Sequence, residues 1–209
     1  MALPPGAGGN LLSEAIRSFV ALSISEGARR QIADLLVSLQ RQQGPVVRWV
    51  RPELMHLTLA FLGEVPQEFL DAATARLSAV ARQHSSITAQ LRGLGAFPSS
   101  SRARVVWIGT EQGRREVCNL QAEVVRALTS VGYQPERRPF SPHLTIGRLR
   151  TPDDVSKAAA VRFESEPFVI DRFVLMRSVL GPAGPAYSVL AEFPLAVQTT
   201  CRPDDLTSA

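Results

Sequence analysis

One four-residue phrase occurs twice in this chain, as His56-Leu57-Thr58-Leu59 and as His143-Leu144-Thr145-Ile146. Each copy sits in a stretch where β-branched and apolar residues alternate with polar ones, the pattern of a half-buried strand. Successive side chains of a strand point to opposite faces, so the His and Thr of each phrase share one face. Leu57 and Leu59, like Leu144 and Ile146, turn the other way and anchor their strands in a core. The chain has only three histidines, and two of them fall in this repeated setting. The third, His84, has neither a Thr partner nor a strand around it. It reads as the C-terminal end of a helix, where an imidazolium meets the dipole favourably.

The surroundings of the two phrases follow one plan: strand, turn, a helix opening at proline, then two strands joined by a Pro-containing loop. The copies are 87 residues apart, which marks duplication of a supersecondary unit and not a short-period solenoid. In the first half, a strand over 17–24 leads to a helix from the N-cap Ser25 to Gln43, stopped by Gly44-Pro45. Its apolar stripe is Ala28, Ile32, Leu35, Leu36 and Leu39. Short strands at 46–50 and 55–62 follow, then a helix from Pro66 to about Gln83 with Phe69, Ala73, Leu77 and Val80 inward. Strands at 87–96 and 104–110 precede a third helix over 113–131, carrying Val117, Leu120, Val124, Leu128 and Val131. In the second half, Thr151 caps a short helix whose first turn is Pro152-Asp153-Asp154, and strands at 167–178 and 186–195 close the fold. Strands alternating with helices, and strand pairs linked as hairpins, predict an α+β protein. The expected architecture is a bilobal duplicated unit, with two mainly antiparallel sheets lining a central groove and helices on the outside. Residues 16–196 form this one domain, between a loose extension at 1–15 and a polar tail at 197–209.

Composition sets outer limits. The 209 residues are 45% hydrophobic and 20% charged, enough for a sizeable core. No apolar run reaches transmembrane length, and the first ten residues lack the basic start and apolar stretch of a signal peptide. Cys118 and Cys201 have neither disulfide-framework nor metal-site spacing, so a cytoplasmic location is expected. Cys118 reads as a helix packing residue. The formal charge is +4, and Lys157 is the only lysine, so nearly all the positive charge is arginine. Codon bias in a GC-rich genome is the weightier explanation. Guanidinium forks also suit phosphate, and position has to decide between the two.

Cleaving a phosphodiester by acid–base catalysis takes one group to accept a proton from the attacking oxygen and one to donate to the leaving oxygen. Histidine serves both roles, because its unperturbed pKa of about 6.5 lies near neutrality. Two histidines facing one groove can hold opposite protonation states, while a threonine two residues on offers its hydroxyl to a phosphate oxygen. Zinc is the rival chemistry, but no Asp, Glu or Cys shares these strand faces. No G-x-S-x-G elbow is present for a serine nucleophile. A single His-x-Thr would read as ordinary strand residues; two in matching settings do not.

The paired motifs resemble those of the two-histidine phosphoesterase superfamily, and within it the RNA 2′,3′-cyclic phosphodiesterases, historically named 2′-5′ RNA ligases. The resemblance also rests on RSFVALSIS, VRWVRPELMHLTLAFLGEV, FPSSSRARVVWIGT, RPFSPHLTIGR and FVLMRSVLGPAGPAYSVLAEFPL, and covers most of residues 17–195. It implies a bilobal fold with a pseudo-two-fold axis and the four motif residues in the groove. It also implies that His56 is the proton donor to the leaving 3′ oxygen and that His143, as proton acceptor, activates water. Thr58 and Thr145 would then hold the phosphate and Arg148 would contact phosphate or substrate. The product would be a 2′-phosphate, formed without metal or cofactor. The implied partners are RNA ends or cyclic nucleotides, with no membrane, and the chain is expected to be a monomer. Other 2′-linked phosphodiesters, such as 2′-5′ oligoadenylate or ADP-ribose cyclic phosphate, are the alternative substrates. A catalytically silent RNA-binding module is the alternative from another class.

Of the remaining candidates, Phe19 and Phe61 could stack a base but read better as core, as do Trp49 and Trp107. Arg102, Arg104, Arg137 and Arg138 fall in loops expected near the groove, where they could attract an RNA backbone.

Overall fold

The computed structural model of the protein describes residues 15–182 and 184–197. Residues 1–14 of the expected extension and 198–209 of the expected tail, Cys201 among them, lie outside the described residues. The strands are β1 (Ile16–Ser23), β2 (Arg48–Trp49), β3 (His56–Val65), β4 (Ile87–Ala89), β5 (Leu91–Phe97), β6 (Ala103–Thr110), β7 (His143–Asp153), β8 (Phe168–Ile170), β9 (Arg172–Gly181) and β10 (Gly184–Pro194). Four helices intervene: α1 (Glu26–Gln43), α2 (Gln67–Ala81), α3 (Arg114–Thr129) and α4 (Ser156–Ala159).

Local signals act where the sequence puts them in α1. The Ala28 N–H donates to Ser25 Oγ at 3.1 Å, a cap worth ~1 kcal/mol. Gly44 ends the helix at φ 58°, in the left-handed region open to a residue without Cβ. The stripe Ala28, Ile32, Leu35, Leu36 and Leu39 is buried as predicted, each large aliphatic side chain contributing ~1.5–3 kcal/mol. In α3 Val117, Leu120, Val124 and Leu128 are wholly buried. In α2 the inward turn begins at Leu70, and Phe69 stays on the rim of the core. The short-helix expectation at 151–154 is corrected. There β7 runs on to Asp153, which pairs with Ala103, and α4 begins only at Ser156. Asp154, not Thr151, supplies the turn by accepting from the Ser156 N–H at 2.6 Å.

Every pairing between named strands is antiparallel. The main sheet has the order β10-β9-β1-β3-β7-β6-β5, with β2 also on β7, and a separate ribbon pairs β4 with β8. Among the described residues the sheets of the two halves join at one ladder pair, Leu57 with Leu144. One lobe is β10-β9-β1-β3; the other is β7-β6-β5 with β2. The single strands expected at 87–96 and 167–178 are each broken, at Gln90 and Asp171, and the detached pieces β4 and β8 pair with each other. The sequence repeat and the spatial lobe therefore differ. Each repeat sends its last strands into the sheet of the other, and α3, which follows β6, packs against β3.

Candidate active site

The junction of the two lobes sets the site. Leu57 and Leu144 have no accessible surface and point into the core, so their strand neighbours point the opposite way. Continuing the register by one residue in each direction sets position 56 across from 145 and position 58 across from 143. In a regular antiparallel pair such opposed side chains lie ~5 Å apart at Cβ and diagonal ones ~7–8 Å. A longer ladder would set His56 opposite Thr145 with His143 on its diagonal; the strands pair only at the leucines, and His56, Thr58 and Thr145 come together in the lining of one cleft. Neither threonine hydroxyl is bonded to another described residue.

The two imidazoles are held in the same way. His56 Nδ1 lies 2.9 Å from the Leu54 carbonyl, and His143 Nδ1 lies 2.7 Å from the Ser141 carbonyl. A carbonyl oxygen can only accept, so each Nδ1 carries a proton and donates it. The tautomer is thereby fixed. Each Nε2 is left to accept a proton when the ring is neutral or to give one when it is charged.

Their surroundings differ. Phe19 stacks on His56 with centroids 4.6 Å apart, and Tyr187 meets the same ring edge-on at 5.4 Å. His143 is met edge-on by Phe97 at 5.1 Å, with Trp107 at 6.3 Å. Burial holds the His56 imidazole below its ordinary value; the Leu54 carbonyl pulls the other way, and the Arg148 cation adds to the lowering. Burial likewise raises the Tyr187 phenol, against the pull of Arg148 and Arg17.

A cleft of about 670 Å³ opens over this face, lined by His56, Thr58, Thr145 and Arg148 among others. His143 is not among the lining residues; it stands two residues before Thr145 on β7, against Phe97 and Trp107. The structure thus brings four of the five candidates to one cleft and sets the fifth beside it. Arg17, Arg48 and Arg51 also line the cleft, none of its lining residues is acidic, and none of its arginines forms an ion pair among the described residues. Sequence reading missed these three arginines and Tyr187, because only the register shows which strand-borne side chains reach a neighbouring face. Arg102, Arg104, Arg137 and Arg138, expected near the groove, do not line this cleft. Phe61 is 40% exposed and lies under the Arg17 guanidinium at 4.6 Å, so it is a wall of the cleft and not core. Phe19 is buried as expected, yet it also backs His56. Trp49 and Trp107 are both half-buried: Trp49 packs on the core and lines the cleft, whereas Trp107 packs with Phe97 and His143. Among the described residues no three His, Cys, Asp or Glu side chains converge as a ligand set.

Two backbone-anchored histidines with paired threonines thus stand at or beside an arginine-lined cleft, at the seam of a duplicated antiparallel fold. The chain belongs to the 2′-5′ RNA ligase superfamily, whose match spans residues 30–182. It is similar to the RNA 2′,3′-cyclic phosphodiesterase of Thermotoga maritima, 34% identical over 179 residues that cover 85% of this chain and 94% of that one. The TT0787 structure of Thermus thermophilus superposes with a TM-score of 0.73 at 28% identity, covering 88% of this chain and 100% of that one. E. coli LigT complexed with 3′-AMP superposes with a TM-score of 0.70 at 27% identity, covering 87% and 99%.

Proposed function

We propose that the chain acts as its relatives are named: it is an RNA 2′,3′-cyclic phosphodiesterase, a phosphoric diester hydrolase. The observation that carries this reading is the twin arrangement of His56 and His143. Both donate Nδ1–H to a carbonyl two residues back, and both flank one strand pair beside a cleft with four arginines and no acid. Nucleotide recognition in the cleft is in line with the 3′-AMP complex of the E. coli relative.

In the reaction the cyclic phosphate sits over the leucine pair, with Thr58, Thr145 and Arg148 donating to its non-bridging oxygens. His143 Nε2 takes a proton from water as the water oxygen bonds to phosphorus. The bond from phosphorus to O3′ breaks, and His56 Nε2–H protonates that oxygen. The product is a 2′-phosphomonoester with a free 3′-hydroxyl, and the two rings have exchanged protonation states. Metal and cofactor have no part in this scheme. His56 must be charged to serve as the acid, whereas burial and Arg148 favour the neutral ring before substrate binds. An anionic phosphate docked on Arg148 offsets that repulsion, so the acid is charged by the substrate it will cleave.

Activity on a 2′,3′-cyclic mononucleotide tests the reading. His56→Ala or His143→Ala lowers kcat by ~10²–10⁴-fold while circular dichroism stays native, since each positioned acid or base contributes about that much. EDTA leaves the wild-type rate unchanged. Full turnover by either variant would sink the proposal, and so would a wild-type protein that binds nucleotide without turnover. Phosphorus NMR of the products decides the roles, because a 3′-phosphate contradicts donation from His56 to O3′.

A further inference from the structure

We propose that the cleft contains a second anion subsite, built by Arg48, Arg51 and Arg17. It takes the phosphate on the 5′ side of the terminal nucleotide. The inference rests on the phosphodiesterase reading and deepens it to a substrate class: ribonucleotides that carry a 5′-phosphoryl or phosphodiester group besides the reacting one.

Charge is the first argument. A cyclic phosphodiester carries one negative charge, which Arg148 and a protonated His56 together already exceed. Arg17, Arg48 and Arg51 are then surplus to the reacting phosphate; none of the cleft lining is acidic, and only Arg17 has a carboxylate as its cross-strand partner, Glu64 outside the lining. Arg48 and Arg148 are direct cross-strand partners in the β2–β7 ladder. Like charges so placed destabilise a sheet, and no carboxylate relieves this pair among the described residues. A bound polyanion does.

Placement is the second. Arg48 does not fold back on its own strand: its Nη2 reaches the β9–β10 turn, within 3.3 Å of where a Cβ on Gly184 would lie. Its guanidinium therefore spans the cleft from the β2 wall to the hairpin wall, where Leu180 and Pro185 also line it. Arg17 lies over the exposed Phe61 ring at 4.6 Å, which holds its guanidinium on the cleft wall. Arg51 heads the 52–54 turn whose Leu54 carbonyl anchors His56. The same short segment thus positions one reacting group and one surplus cation. The cyclic phosphate occupies the 3′ end of its nucleotide, so a chain can continue only on the 5′ side, and a second anion must come from there.

Calorimetric titration at low salt with adenosine 2′-monophosphate and adenosine 2′,5′-bisphosphate separates the two subsites without any need for turnover. The wild type binds the bisphosphate at least about tenfold more tightly, the size of one charge-assisted contact. In the Arg48→Gln/Arg51→Gln double variant this preference falls to within about twofold, and Arg17→Gln reduces it in part. Thermal melting of the double variant is expected at or above the wild-type midpoint, since the Arg48–Arg148 like-charge pair has been removed. Equal wild-type affinity for the two ligands overturns the subsite, as does a preference that survives the double variant. Turnover of 2′,3′-cyclic AMP by the wild type is read in parallel. A preference without turnover keeps the subsite and removes the reaction; turnover without a preference does the reverse.

Discussion

At the scale of single residues, the environment of His56 shifts its titration. Its folded-state pKa lies below 6.5, chiefly through burial. Between that value and 6.5 the unfolded chain binds more protons than the folded one, so stability falls as the pH drops below about 6.5, with the loss complete under the folded value. Replacing His56 by Asn removes the titration. The variant should therefore gain on the wild type in denaturant midpoints as the pH falls below about 6.5, and parallel curves for the two proteins would contradict the burial argument. Gly95 governs the other imidazole. A Cβ there would collide with the Trp107 ring, which packs against His143 and Phe97. Gly95→Ala must push the indole aside, at a cost of ~1–3 kcal/mol. The expected result is a lower melting midpoint together with a fall in kcat. A drop in stability with kcat intact would mean that Trp107 does not position His143.

At the scale of elements, β2 is only two residues long, yet it brings Arg48 and Trp49 to the cleft. It can lie so close to β7 because Gly147 has no side chain; a Cβ there would meet Val47 Cγ1 at 2.6 Å and the Trp49 ring at 3.1 Å. Gly147→Ala should displace β2 and weaken nucleotide binding, with the loss appearing in KM more than in kcat. An unchanged KM would show that β2 takes no part in holding substrate. Elements of this kind mark where legibility in the sequence ends. The stripes of α1 and α3, the Ser25 cap and the faces of the His-x-Thr strands follow from periodicity and local hydrogen bonding, and all could be read directly. Gln90 and Asp171, where long strands break, carry no Gly or Pro signal; the breaks exist because β4 and β8 find each other across the fold. Asp154 shows the same limit in miniature, since its cap competes with a strand that continues only because Ala103 is there to pair with Asp153. Arg148 could be singled out through its place after the second motif. Arg17, Arg48 and Arg51 could not, because their convergence depends on the register of β1, β2 and β7 against one another.

At the scale of the molecule, the two sequence repeats are interlocked, and this bears on how the site comes into being. In the main sheet the strand order β10-β9-β1-β3-β7-β6-β5 alternates between repeats: two strands from the second, two from the first, one from the second, two from the first. The ribbon β4–β8 takes one strand from each repeat, and so does β2 on β7. A chain cut between Gln134 and Pro135, in the loop that joins the repeats, therefore leaves two pieces, neither of which holds more than two adjacent native strands of the main sheet. Isolated two-stranded units are marginal in water, so each piece alone should be largely unfolded by circular dichroism. Mixed, they can rebuild every pairing, because the cut falls outside all the strands and spares Ser141, whose carbonyl anchors His143. The expected outcome is that neither fragment hydrolyses a 2′,3′-cyclic nucleotide and that the equimolar mixture does, with one cooperative melting transition. An independently folded fragment, or two separate transitions in the intact chain, would show that the interlocked sheet is not the folding unit. The site would then be assembled by docking two finished parts. One transition means that His56 and His143 are brought together by the same event that forms the core, since Leu57 and Leu144, the pair between them, come one from each repeat and are buried only when both are present.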